Sequence, residues 1–387
     1  MSTRTSALTL RPTAAEATAL LRLRERFNAA CNHISGVAWD AQEFNKVRLQ
    51  RLVYGDVRRE YGLMAQHTIR AIAVVADAYK RDHDTRREFR ADAAVVLDTP
   101  RLYRVTHNRA RITTLDGRLK VELGIGGHQR RQLADALKLA EADLIRDRKG
   151  RWRLLVSAHF QDPPTVDTEG VLGVDLGRTD IAVTSEGATF SGERVTVRRD
   201  HYARVRRSIQ RKASQGTRST RRRVRAVGKR IAGQERRFQK DVNHVVSKRI
   251  VGQEVASGQA IACEDLTGIR ERTNKQPRTK TERRRSNRWA FYQLRAFLAY
   301  KCQALGVPFV LVNPAYTSQM CHCCFVLGKR SGKRFSCCNP ACAWRGDADY
   351  NGARNIARLG LVLMQPGGPP LCCLHQPGGR ATTSRAL

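Results

Sequence analysis

The sequence predicts an α+β unit in roughly its first 160 residues, with helices inserted in a small β structure, followed by a mixed α/β unit. Three observations carry this. Apolar residues recur at helical spacing between Leu20 and Tyr79; the period then changes to alternation on both sides of Asp116-Gly117 and Lys149-Gly150; and a stretch with two prolines, whose one large apolar residue is Val166, precedes a new pattern at Gly170. A chain of 387 residues suits two or three folding units and can bury a substantial core.

The elements follow in order. Thr13 and Glu16 fit a capping box before Leu20, Leu23, Phe27, Cys31 and Ile34, which share one helical face, so a helix starts near Ala14. Phe44, Val47 and Leu52 suggest a second helix, and Ile69, Ile72, Val75 and Tyr79 a third. Arg109 to Leu123 reads as a hairpin turning at Asp116-Gly117, and Lys149-Gly150 separates Ile145 from the strand Trp152 to Phe160. Residues 161–169 are a linker. Gly170 to Asp175 is a strand, Ile181 to Thr184 its antiparallel return, and Ala260 to Cys263 and Val307 to Val312 are buried strands on either side of a helix over Trp289 to Leu305. From Gly360 onward the Gly- and Pro-rich tail lacks a folding pattern, and 362–387 are expected to be flexible.

Composition narrows the partner. Lys plus Arg number 71 against 35 Asp plus Glu, a formal charge of +36, and such an excess calls for a polyanion. The longest apolar runs fall far short of the roughly 18 residues that span a bilayer, and the N-terminus has no export signal, so no membrane partner and a cytoplasmic location are expected. Of 11 cysteines, six lie between Cys321 and Cys342, which in a reducing compartment points to metal ligation rather than disulfides. Cys321 and Cys324 form a CxxC; a second pair, Cys337 or Cys338 with Cys342, completes the four thiolates of a structural zinc ribbon.

Three separated segments each end a buried element with an acid: Gly-Val-Asp-Leu-Gly at 173–177, Ile-Ala-Cys-Glu-Asp-Leu at 261–266 and Gly-Asp-Ala-Asp-Tyr-Asn at 346–351. Any one alone reads as a solvated or capping carboxylate. Together, Asp175, Glu264 and Asp349 offer what two-metal hydrolysis needs, carboxylates from different elements converging on Mg2+ ions. Asp347 is the weaker contender beside Asp349. The basic residues are also placed unevenly: 201–240 hold 15 Lys or Arg and one acid, Glu235, and 270–288 hold nine against two acids. An ordinary solvated face mixes signs, so these tracts read as phosphate contacts, with Arg221, Arg222, Arg223 and Arg225 selected. His244, three residues after Asp241, reads as a surface or interhelical hydrogen bond rather than a catalytic partner.

The three acidic segments in this order, with the cysteine cluster between the second and third, resemble the TnpB family, transposon-encoded RNA-guided DNA endonucleases related to compact type V CRISPR effectors. Tyr-Gly-Leu-Met-Ala-Gln at 61–66, Tyr-Thr-Ser-Gln-Met-Cys at 316–321 and Asp-Ala-Asp-Tyr-Asn-Gly-Ala-Arg-Asn-Ile at 347–356 carry the likeness further. The resemblance implies a wedge domain like a β-barrel with an inserted helical recognition lobe over 1–160. It implies an RNase H-like RuvC nuclease domain over 170–313, including basic helices at 201–250, then a zinc ribbon over 314–345 and the third motif over 346–361. It places Asp175, Glu264 and Asp349 in the catalytic positions, with two Mg2+, one structural Zn2+, a guide RNA from the transposon end and double-stranded target DNA as partners, in a prokaryotic, nucleoid-associated setting. The second knuckle, Phe-Ser-Cys-Cys-Asn-Pro-Ala-Cys, departs from the family pattern: counting from Phe335 selects Cys337, the tighter loop to Cys342 selects Cys338, and the former is preferred. His322 and Cys323 are spare, Cys31, Cys263 and Cys302 are core residues, and Cys372 and Cys373 have no partner pattern. Two rivals stand beside the nuclease: a guided repressor that has lost cleavage, and a transposase.

Overall fold

A computed structural model of the chain describes residues 1–147, 149–267, 279 and 291–364, and it divides after Gln161 into two units. The first opens with β1 (Ser2–Arg11), a strand absent from the expectations because one of its inward positions is a serine: Ser6, Leu8 and Leu10 are buried. Then α1 (Ala14–Asp40) begins at the expected cap. The Thr13 hydroxyl accepts from the Glu16 amide at 3.3 Å, and the Thr13 amide donates to the Glu16 carboxylate at 2.8 Å. It packs with α2 (Lys46–Tyr61) and α3 (Ala65–Tyr79). The expected face of α2 is corrected. Val47 and Leu52 are exposed, Phe44 precedes the helix, and the buried stripe is Leu49, Val53 and Val57, an i, i+4, i+8 series.

The remaining elements of this unit are β2 (Val95–Leu97), β3 (Tyr103–Thr106), β4 (Arg109–Thr114), β5 (Gly117–Gly124), α4 (Gly127–Ala134), β6 (Lys138–Arg146) and β7 (Trp152–Phe160). Among the described residues, seven strands form one sheet in the order β2-β6-β7-β1-β5-β4-β3, with β1 in the middle and every pairing antiparallel. Gly117, at φ 117°, makes the expected turn between β4 and β5. The sheet curls strongly. Tyr103 on edge strand β3 donates its phenol to the Ala140 carbonyl of β6, next to the opposite edge, at 2.5 Å. The core lies between this curl and the three helices.

His67, on α3, is fully buried, and burial pushes its imidazole down from 6.5 to about 4. The unfolded chain binds that proton near 6.5 and the folded chain only near 4, so stability is lost as pH falls through this window. The loss is about 2 kcal/mol at pH 5. Urea unfolding of the full chain, read by hydrogen exchange in residues 65–79, should show this deficit in wild type and not in His67→Gln.

The second unit begins with a linker that has no regular structure, then β8 (Gly170–Asp175), β9 (Asp180–Thr184) and β10 (Thr189–Ser191). Two long helices follow, α5 (Glu193–Ser214) and α6 (Arg218–Ser257), then β11 (Gln259–Glu264), α7 (Phe291–Leu305) and β12 (Phe309–Val312). A small antiparallel sheet of β13 (Gly328–Ser331), β14 (Arg334–Cys337) and β15 (Arg345–Asp347) leads into α8 (Ala348–Met364). The main sheet has the order β10-β9-β8-β11-β12, with β8, β11 and β12 parallel and β9 and β10 antiparallel. It is a mixed α/β sandwich. Leu172, Val174, Ile261 and Cys263 face Val246, Ile250, Leu294, Leu298 and Cys302 of α6 and α7, whereas Val171, Ala262, Val310 and Val312 face Ile356, Leu359 and Leu363 of α8. Helix α8 runs through Gly360 to Met364, so the flexible tail expected from 362 does not start there. Residues 365–387, with Cys372 and Cys373, and the basic tract 270–288 apart from Thr279 lie outside the described residues. Among the described residues no helix is long and apolar enough to cross a membrane.

Candidate active site

Strand alternation decides which acids meet. Along β8, Val171, Gly173 and Asp175 point to the α8 side; along β11, Ala262 and Glu264 do the same. The two strands are parallel, with Val174 paired to Cys263, so Asp175 and Glu264 end neighbouring strands at the same level. That is the carboxyl edge of the parallel strands, where open α/β sheets bind their ligands. Asp349 comes from the first turn of α8, and the Asp175 carboxylate lies against that helix: a Cβ on Gly352 would sit 3.2 Å from its Oδ2. The structure thus brings Asp175, Glu264 and Asp349 together.

Their electrostatics follow. Asp175 is raised well above the ordinary carboxylate range, first by burial and then by the charges of Glu264 and Asp349. Burial also raises Glu264, against the Thr317 hydroxyl and Arg330, and burial raises Asp349 against Arg330. Arg330, on β13, reaches Asp349 Oδ1 at 2.7 Å and acts on all three acids, so a guanidinium supplies the positive charge that this acidic set demands. Carboxylate oxygens are the hard donors that Mg2+ takes, and these three act on one another electrostatically without forming a set of ligand atoms within 4.8 Å of one another. Asp265 turns to the other side and pairs with Arg295. Asp347 caps α8, its Oδ1 accepting from the Asp349 and Tyr350 amides at 2.8 and 2.9 Å, so it is a structural acid.

Polar residues that sequence reasoning did not single out hold the site. Thr317, almost fully buried, donates its hydroxyl to Glu264. Asn355 of α8 donates to the Thr317 and Met320 carbonyls at 2.9 and 2.7 Å, and Asn351 donates to Met320 at 2.7 Å and accepts from the His322 amide at 2.9 Å. Two side-chain amides one turn apart therefore clamp segment 317–322 onto the helix that carries Asp349. Their signal was present in the quoted motifs at 316–321 and 347–356, as polar residues at i, i+4 spacing on a buried helix. Lys333 pairs with the buried Asp180 at the start of β9.

The same segment leads into the cysteines. Among the described residues, the one set of three or more possible ligand atoms lying within 4.8 Å of one another is Cys321, Cys324, Cys337 and Cys342. Cys321 and Cys342 sulfurs are 3.8 Å apart and those of Cys324 and Cys337 3.4 Å. A tetrahedron with metal–sulfur bonds of about 2.3 Å puts its sulfurs about 3.8 Å apart, so the set fits one zinc ion. The Val326 amide draws the Cys324 thiol down to about 7. Cys338 is corrected out of the set. Phe335 and Cys337 share the inward face of β14, which leaves Cys338 exposed. Cys323 is also exposed, and Cys31, Cys263 and Cys302 are buried. The cluster's core is small, Cys321, Phe335 and Ala348 with Trp344 packed against them. Metal binding should therefore supply much of its stability. Cys337→Ser should lose the bound zinc, read as metal per chain, and raise hydrogen exchange over 317–337, whereas Cys338→Ser should keep both at the wild-type level.

Helices α5 and α6 pair as an antiparallel hairpin: Arg198 lies over Phe238, and Arg206 reaches Glu235 at 2.6 Å. Arg221, Arg222, Arg223 and Arg225 are all exposed on the first half of α6. His244 stacks on Phe297 at 3.9 Å between ring centroids, an interhelical contact with no catalytic geometry.

Comparison with known proteins adds the family. The model of the Cas12f1-like TNB domain matches residues 291–356, which cover α7, β12, the cysteine cluster and the start of α8. The chain is similar to a CRISPR-associated endodeoxyribonuclease Cas12f1 of Sulfoacidibacillus thermotolerans, 28% identical across 59% of this chain and 55% of that protein. It is also similar to a TnpB-like protein of Methanocaldococcus jannaschii, 29% identical across 44% and 62% of the two chains. A putative RNA-guided DNA endonuclease of Streptomyces pristinaespiralis is 31% identical across 60% and 56%. The chain thus spans a little over half the length of the curated relatives it matches. In fold it resembles the protein in a cryo-EM structure of a Cas12f1–sgRNA–target DNA complex, with a TM-score of 0.60 at 12% identity, covering 89% of this chain and 83% of that one. The TNB match lies over the cysteine cluster, and together with relatives named as TnpB-like protein, Cas12f1 and RNA-guided DNA endonuclease it supports the resemblance to the TnpB family.

Proposed function

We propose that the protein is an RNA-guided DNA endonuclease of an insertion sequence, which cleaves target DNA beside a short motif at an RNase H-like, RuvC-type centre. The observation that carries this is the convergence of Asp175, Glu264 and Asp349 at the carboxyl edge of parallel strands. The names of its relatives support it. In this reading the three acids hold two Mg2+ ions and Cys321, Cys324, Cys337 and Cys342 hold one structural Zn2+. Bound there, Mg2+ would supply activation of the attacking water and stabilisation of the leaving oxygen. The chain's own groups do the rest. Asp175 and Glu264 fix the site on two rigid strands, Thr317 orients Glu264, and Arg330 balances the acids before the cations enter. The exposed arginines of α6 would contact phosphates, while guide pairing supplies sequence choice. A transposon-end guide RNA, duplex target DNA, wedge and recognition roles for the first unit, and a cytoplasmic, nucleoid-associated setting belong to the same proposal.

The test is a cleavage assay with guide RNA, motif-bearing duplex DNA and Mg2+, comparing wild type with Asp175→Ala. Cutting by wild type alone supports the nuclease. Tight binding without cutting by either protein would establish the repressor, and joined strands the transposase; no observation favours either.

A further inference from the structure

Arg330 reaches the acids from the cysteine cluster rather than from the main sheet or α8. It stands on β13, and its guanidinium is held from two sides: Nε donates to the Gly332 carbonyl of its own hairpin turn at 3.2 Å, and Nη2 donates to Asp349 Oδ1 at 2.7 Å. The hairpin itself is fixed at both ends. At its base Cys337, one of the four clustered thiols, pairs with Gly328. At its tip Lys333 pairs with the buried Asp180 of β9, and the Lys333 carbonyl accepts from the Ala348 amide at 2.7 Å, next to Asp349. A rooted arm therefore sets one guanidinium against Asp349. The side chains of the two are 34% and 12% exposed, so the contact is sheltered more than an ordinary surface ion pair.

A guanidinium in this place does part of what a metal would do. It bonds one carboxylate directly, and its charge favours the ionised form of Asp175, Glu264 and Asp349 alike. The two kinds of cation nevertheless exclude each other. Mg2+ takes its oxygens at about 2.1 Å, so an ion on Asp349 would stand within about 5 Å of the guanidinium, and like charges that close repel more strongly in a sheltered site than in water. Asp349 can serve the arginine or the metal at full strength, not both.

We infer that Arg330 is a latch on the centre: it holds Asp349 as a counter-cation built into the chain, and a divalent cation binds the three acids only by displacing it. The inference rests on the reading of those acids as a divalent-metal centre and adds an internal competitor to it. The chain's affinity for the cation is then set below what the acids alone would give, by the strength of the guanidinium's hold. Displacement frees the arm at Arg330 alone. The Lys333–Asp180 pair and the base of the hairpin keep it in place, so the guanidinium returns to Asp349 when the cation leaves.

The experiment uses the full chain with zinc bound and no nucleic acid, and Mn2+ as the probe, with free ion counted by electron paramagnetic resonance. Arg330→Gln should bind Mn2+ about tenfold or more tightly than wild type, because a charge-assisted hydrogen bond no longer competes. Lys329→Gln removes one charge from the other face of β13 and should bind like wild type. Adding Asp175→Asn to Arg330→Gln should abolish the gain, which puts the ion at the three acids. Thermal unfolding supplies a second sign. Without divalent cations Arg330→Gln should melt below wild type, since the acids lose their counter-charge, and saturating Mn2+ should raise its melting temperature by more than that of wild type. Equal or weaker Mn2+ binding by Arg330→Gln, including none by either protein, overturns the latch. So does an equal gain in Lys329→Gln, or a gain that survives Asp175→Asn. The two readings fail separately: DNA cutting by wild type with no Mn2+ gain in Arg330→Gln removes the latch and leaves the nuclease, whereas the gain in a chain that never cuts leaves the latch and removes the nuclease.

Discussion

Asp175→Asn is expected to abolish cleavage and, without added divalent cations, to make the protein more stable. Both effects come from one arrangement. Asp175 is buried beside Glu264 and Asp349, which leaves its ionised form poorly solvated and repelled. An asparagine of the same shape keeps the packing against α8 and removes one of the clustered charges, so burial and repulsion no longer oppose folding. Relief of about 1 kcal/mol would raise the melting temperature by about 2 to 4 °C in a unit of this size. In the proposed mechanism the same substitution also removes an anionic oxygen from the grip on the cations. Loss of several kcal/mol of transition-state stabilisation corresponds to a rate fall of about a thousandfold or more. Melting curves and cleavage rates measured side by side should move in opposite directions. Retained cleavage would remove Asp175 from the chemistry, and a lower melting temperature would contradict the electrostatic account.

Much of this centre is legible in the sequence, because Asp175 and Glu264 each end an apolar run, whereas Asp349 opens a helix rather than ending a strand. Strands β8 and β11 read as buried segments, and alternation then fixes where Asp175 and Glu264 point. The cysteines were legible for a similar reason, since CxxC spacing belongs to few structures. What the sequence concealed is polar and depends on tertiary placement. Thr317 matters because Glu264 lies across from it, Arg330 because a hairpin of the cysteine cluster carries it to Asp349, and Asn351 and Asn355 because the loop they clamp returns from another element. None of those partners is near in sequence. The choice of Cys337 over Cys338 likewise needed the pleat of β14. In the first unit, β1 escaped notice because its alternation passes through Ser6, and the face of α2 was misjudged because Phe44, which suggested it, lies before the helix.

These contacts also tie the cysteine cluster to the acids. Segment 317–322 carries Thr317 at one end and Cys321 near the other, and Asn351 and Asn355 of α8 bond it along its length. Loosening the thiol cluster therefore frees the loop that orients Glu264. A structural ion without an open coordination position can still govern a reaction it never touches, by fixing the second neighbour of a reacting group.

Among the described glycines, Gly173 leaves the least room for a side chain, and its substitution by alanine should damage the fold severely. Gly173 faces α8 between Val171 and Asp175. A Cβ built there would lie 2.0 Å from the Ala353 carbonyl oxygen and 2.4 Å from the Ala357 nitrogen. Both are backbone atoms of a helix that cannot rotate away as a side chain would. Helix α8 would have to lift from β8, opening the layer of Ala262, Val310, Val312 and Ile356 and carrying Asp349 from Asp175. Forced separation of a packed layer belongs among the rare substitutions that cost more than about 4 kcal/mol. Gly228→Ala is the control, because it makes the same chemical change inside α6, where a Cβ meets nothing within 4 Å. There alanine should stabilise by about 0.5 to 1 kcal/mol through helix propensity. Thermal unfolding of the two variants should therefore diverge in sign, with hydrogen exchange over 348–364 rising steeply only in Gly173→Ala. Equal melting temperatures would mean that α8 does not sit on β8 as closely as these distances require.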